Sequence, residues 1–138
     1  MANVIYDKYK EALLNLAANA DLTGGSVKIS LVDTGITTFS STQEFYSDLV
    51  DIATGELSVA NLDNITVTNG VVDADNVTFV SAANTTLDAE ALVIWIDTAN
   101  TATSRVVAWM DTNIDGLPIS PTGGDIDIVW STSGIFKL

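Results

Sequence analysis

Three strongly apolar runs with β character, Ala91 to Asp97, Arg105 to Asp111 and Asp125 to Ser131, crowd into the last third of the chain. In the first, Leu92, Ile94 and Ile96 alternate with Val93 and Trp95, so both faces of the strand are apolar and both must be covered. In the third, Ile126, Ile128 and Trp130 alternate with Asp125, Asp127 and Val129, the pattern of a half-exposed strand. A block of this kind reads as the closed core of a packing module, and 138 residues are enough to build one.

The rest of the chain supplies shorter elements. From Val4 to Ala20 the positions Ile5, Tyr9, Leu13, Leu16 and Ala20 recur at three or four, which predicts one amphipathic helix ending at Gly24-Gly25. Its stripe either covers a sheet of its own domain or docks on a partner. Ser26 to Val32 then switches to period two, with Val27, Ile29 and Leu31 on one face. Gly35 to Thr54 reads as a loop carrying a helical turn. Leu57 to Val59, Ile65 to Thr68 and Val71 to Asp73 read as strands, the last two joined by Asn69-Gly70, a pair that accepts the positive φ angles of a type I′ hairpin turn. Asn76 to Val80 is a further strand, Ser81 to Asp88 and Asp111 to Gly124 are loops, and Ile135 to Leu138 adds a terminal strand. The expected fold is mainly β: an antiparallel β-sandwich or jelly-roll-like module of about eight strands, with residues 1–21 as an N-terminal helix and residues 26–138 as the sandwich of one domain.

Charge narrows the partners. Five Lys and Arg against 18 Asp and Glu leave a net charge of −13, which repels phosphate and argues against nucleic acid and anionic membranes. The longest apolar stretch, Ala91 to Ile96, is far shorter than a membrane helix, and no signal-peptide pattern opens the chain, so synthesis in the cytoplasm is expected. A hydrophobic content of 47% separates the chain from disordered acidic sequences. Without cysteine, stability must come from packing, oligomerisation or docking on a larger body.

Chemical motifs are weak. Asp111-Thr-Asn113-Ile-Asp115-Gly116 matches the start of a calcium loop, but its twelfth position is Thr122 where a bidentate Glu is needed, and strands flank it where an EF-hand has helices. Asp125 and Asp127 share one face of their strand, and Asp73 and Asp75 sit close together at the end of the hairpin, so either pair could bind a cation or serve acid–base chemistry; nothing marks an environment that would shift one of them, and solvated carboxylates are the expectation. The chain has no histidine and no Gly-x-Ser-x-Gly elbow, and Gly24-Gly25 and Gly123-Gly124 lack the spacing and Lys of a phosphate loop. Neither catalysis, a cofactor nor a metal is expected. Trp95, Trp109 and Trp130 suit either a shared core or a stacking platform for sugar rings; their aliphatic neighbours favour the core.

The segment Thr66-Val-Thr-Asn-Gly-Val-Val-Asp-Ala-Asp75, the run Glu90-Ala-Leu-Val-Ile94 ending in Asp97-Thr98, the stretch from Gly116 to Ile126, the terminal Ile135-Phe-Lys-Leu138 and the opening Tyr6-Asp-Lys-Tyr-Lys-Glu-Ala-Leu-Leu14 together resemble a group of small acidic proteins encoded in the structural-gene modules of tailed phages and prophages. The resemblance implies a virion structural protein, by preference a head decoration or cement protein on the outer capsid surface, with the major capsid protein and further copies of itself as partners. Packaged DNA would repel so acidic a chain, which favours the outside of the shell. The expected interface anchors are Tyr6, Tyr9, Phe45, Tyr46 and Phe136, aromatics lying outside the apolar strand block. The alternatives are a tail, neck or fibre-associated virion protein, a carbohydrate-binding module and a calcium-stabilised adhesin domain.

Overall fold

A computed structural model of the chain describes residues 3–82 and 86–138. The expected mainly β, antiparallel, sandwich-like architecture is present, with ten strands where about eight were expected. The strand not foreseen is the two-residue Val4–Ile5, too short for periodicity to resolve and read in the sequence as part of the helix. The loop from Ser81 to Asp88 lies partly outside the described residues.

The main sheet runs in the order β1 (Val4–Ile5), β8 (Val106–Met110), β7 (Ala91–Asp97), β2 (Ser26–Val32), β3 (Glu56–Asn61), every pair antiparallel. Paired residues share a face, so one face carries the row Ile5, Ala108, Ile94, Ile29, Ala60 and the other the row Val4, Trp109, Val93, Ser30, Val59. As its two-sided apolar pattern requires, central β7 is buried from Ala91 to Ile96.

Two small sheets complete the β structure. β4 (Thr66–Thr68), β5 (Val71–Asp73) and β10 (Phe136–Lys137) form one, in the order β10-β5-β4. The β4–β5 hairpin has the expected register, and Asn69 and Gly70 take φ of 53° and 78°, the left-handed pair a type I′ turn demands. β6 (Val77–Phe79) pairs with β9 (Ile126–Ile128), and their inward residues Val77, Phe79, Ile126 and Ile128 join the core built by β2 and β7.

The face bearing Trp109 is covered by the segment between β2 and β3. Tyr46–Asp48 forms a 3-10 turn there and Ile52–Gly55 a one-turn helix, which we label α2. Phe39 packs between Tyr6 and Trp109, with ring centroids 5.1 and 6.2 Å away, and Tyr46 lies on Trp95 at 4.3 Å.

The N-terminal helix is shorter than expected. α1 spans Asp7–Leu14, because Val4–Ile5 is taken by the edge of the main sheet and the helix closes early. It closes in a Schellman arrangement: Ala17 N–H donates to the Ala12 carbonyl at 2.9 Å, Leu16 N–H to that of Leu13 at 3.3 Å, and Leu16 adopts a left-handed φ of 52°. Gly24-Gly25 therefore caps no helix. Of the proposed stripe, Tyr9 is buried together with Ala12, so α1 covers its own domain, whereas Leu16 points into solvent.

Candidate docking site

An open, largely apolar groove of about 470 Å³ lies where the edges of two sheets approach each other. Val4 and Ile5 contribute from β1, Ala108 and Met110 from β8, Lys10 from α1, and Phe136, Lys137 and Leu138 from β10 and its end. β1 and β10 are the terminal strands of their sheets, so each leaves one side of its backbone without a ladder partner. Ile5, Ala108 and Met110 share the face opposite Trp109, and Ala108 and Met110 are themselves buried.

The electrostatics of the groove differ from those of the rest of the molecule. Four of the five basic side chains are matched by carboxylates within the chain: Lys8 with Glu11 at 2.8 Å, Lys10 with Asp7 at 2.9 Å, Lys28 with Asp97 at 3.6 Å and Arg105 with Glu44 at 2.7 Å. Lys137 has no carboxylate in ion-pair range among the described residues. The groove is thus bordered by Lys10 and Lys137 and lined by no Asp or Glu side chain, on a chain of strongly negative net charge.

The five expected anchors fall in three places. Tyr6 and Tyr9 lie in the core, which corrects their placement outside it: β1 and the first turn of α1 fold their rings inward. Tyr9 still satisfies its hydroxyl by donating to the Ala20 carbonyl at 3.0 Å, and burial pushes its pKa up to about 12. The Tyr6 hydroxyl is buried with no hydrogen-bond partner among the described residues, and burial alone holds its phenol far above the ordinary value. Phe45 and Tyr46 are half-buried and serve the chain itself. Phe45 stacks under the Arg105 guanidinium at 5.0 Å, and Tyr46 donates to Glu56 Oε2 at 2.6 Å, its phenol raised by burial and then by that carboxylate. Phe136 alone among the five lines the groove.

The carboxylates singled out in the sequence act as acceptors for nearby donors. Asp125 receives Ser81 N–H at 2.8 Å, Asp127 the Thr78 hydroxyl at 2.7 Å, Asp73 the Ala74 N–H at 3.0 Å and Asp75 the Asn64 amide at 2.6 Å. In the calcium-like loop, Asp111 accepts the Trp109 indole N–H at 3.0 Å and the Thr112 hydroxyl at 2.9 Å, and Asn3 Oδ1 caps the N–H groups of residues 111 and 112. Among the described residues no three carboxylates converge as a cation site.

The tryptophans divide. Trp95 and Trp109 are buried, the former donating to Ser30 Oγ at 2.9 Å, so neither presents a ring for stacking on sugar. Trp130 is half-buried, with its indole N–H on the Asp75 carbonyl at 3.0 Å, and packs at the margin of the core instead of inside it.

Sequence reasoning missed most of the groove. The β1–β8 pairing joins Val4 to Trp109 across the length of the chain, and two residues leave no periodic signature. It also missed Arg105, which is nearly buried and donates from Nε to the Ala18 carbonyl at 2.9 Å while pairing with Glu44. No family model matches the chain, and no curated protein is significantly similar to it.

Proposed function

We propose that the chain is a non-enzymatic virion structural protein, of the kind that binds the outer surface of a phage head and stabilises the shell. The observation that carries this reading is the apolar groove between two open sheet edges on an otherwise acidic surface. Such a surface suits protein–protein contact: apolar side chains supply burial, and edge backbone supplies hydrogen bonds to an incoming strand. The likeness of the turn and strand segments to small acidic phage structural proteins points the same way.

The mechanism is thermodynamic. A module that binds assembled subunits and not free ones stabilises the lattice by mass action, and repetition over a symmetric shell multiplies moderate contacts. The negative surface favours the outside of the shell, away from packaged DNA.

Antibody labelling of purified virus particles from the source that carries the gene tests the reading. Label over the head surface supports it; label confined to tail, neck or fibres moves the chain to another virion position; particles lacking the protein refute it.

A further inference from the structure

Two features of the surface stand out. The first is an apolar tip at the end of α1: Leu14 and Leu16 are 86% and 92% exposed, the most exposed large apolar side chains described. Leu16 also holds the left-handed position of the helix terminus, φ 52°, where glycine is unstrained and leucine is not. A strained residue whose side chain packs against nothing of its own points to a role outside the chain. The second is the groove, lined by the core residues Ala108 and Met110 and the partly exposed Ile5 and Phe136, and bordered by Lys137, which has no carboxylate in ion-pair range among the described residues.

We propose that the groove is filled by Leu14 and Leu16 of a second copy of this chain. The two features complement each other in polarity and in charge. Glu11 precedes Leu14 by one turn on the same helix face and is tied only to exposed Lys8 among the described residues, so the tip carries a carboxylate opposite in charge to the Lys137 that borders the groove. Lys10, four residues before Leu14, borders the groove of its own copy, so tip and groove adjoin. Adjoining, mutually complementary features are satisfied at once by a two-fold pair in which each copy gives its tip and receives the other's. The net charge of −13 on each copy opposes approach at long range, so salt tightens the pair, the reverse of a contact held by ion pairs alone.

This inference deepens the reading of the groove as a docking surface and rests on it. The test uses two variants of the full chain. Leu14→Lys with Leu16→Asn removes the tip while suiting the helix terminus; Lys137→Glu with Leu138→Glu spoils the groove at two exposed positions. Sedimentation equilibrium is expected to show wild-type dimers that strengthen with added sodium chloride. Each variant alone should be folded, by its tryptophan fluorescence, and at least about tenfold weaker in self-association. Mixed in equal amounts, the two variants should form a 1:1 pair, because one intact tip then meets one intact groove. Wild type monomeric up to ~0.5 mM, variants that associate as wild type does, or mixtures no tighter than the variants alone each overturn the proposal. A monomeric chain that still labels virus heads would leave the functional reading standing without this inference; complementation by a chain absent from particles would leave the inference standing without that reading.

Discussion

Replacing Tyr6 with Phe should stabilise the protein, an unusual expectation for a fully buried side chain. The buried Tyr6 ring packs against that of Phe39, 5.1 Å between centroids, and Tyr6→Phe keeps this contact. What it removes is a hydroxyl that gave up its hydrogen bonds to water on folding and gained none among the described residues. A buried, unsatisfied hydroxyl costs about 1–3 kcal/mol, and the small void left by one oxygen returns a few tenths. The net gain should be about 1 kcal/mol. At a urea dependence of roughly 2 kcal/mol per molar, this moves the unfolding midpoint up by about 0.5 M, followed by tryptophan fluorescence.

The substitution also carries a pH signature. Below the ordinary phenol pKa of about 10, Tyr6 is protonated in folded and unfolded chains alike. Above it the unfolded chain releases the proton while burial makes folded Tyr6 keep it, so stability is lost as pH rises past ~10. Tyr6→Phe should lose less stability between pH 8 and pH 11 than wild type. Tyr9 and Tyr46, both raised by burial, leave a remainder of the alkaline loss. A variant less stable than wild type by about 1 kcal/mol would show that the hydroxyl is bonded, and the reasoning would fail.

Other outcomes follow from single residues. Leu16→Gly should raise stability by about 1 kcal/mol in the same urea assay, since it relieves a left-handed leucine and removes no packed side chain. Gly134→Ala should cost about 2 kcal/mol or more: φ is 95°, and a Cβ there would run into the Val71 side chain and the Val72 carbonyl, loosening β5 from its neighbour β10. Arg105→Met should cost about 2 kcal/mol by leaving the Ala18 carbonyl and the Glu44 carboxylate without their donor, and thermal unfolding at matched salt measures it. Iodide should quench one tryptophan of three, Trp130, and Trp130→Phe should abolish most of that quenching; ready quenching of Trp95 or Trp109 would contradict their burial.

The parts of the molecule legible in the sequence are those governed by near neighbours. β2, β7 and β8 announce themselves by period and composition, and the Asn69-Gly70 hairpin by the backbone angles its turn requires. The end of α1 was not legible, because the stripe of apolar residues continues through Leu16 and Ala20 after the hydrogen bonds stop. The groove was illegible for a different reason: apart from Phe136, its lining comes from residues that look like helix, core or tail until distant segments of the chain meet.

Local periodicity and turn chemistry by themselves determined that this chain is a β protein with an apolar central strand covered on both faces, because those preferences act between residues a few positions apart. Only the tertiary structure decided which aromatics are core and which are surface, since Val4 and Ile5 reach their β8 partners only when the chain closes on itself, drawing Tyr6 and Tyr9 inside. The same closure left Leu14 and Leu16 outside and opened the groove beside them. Burial is a property of the whole packed chain, and no window of sequence contains it.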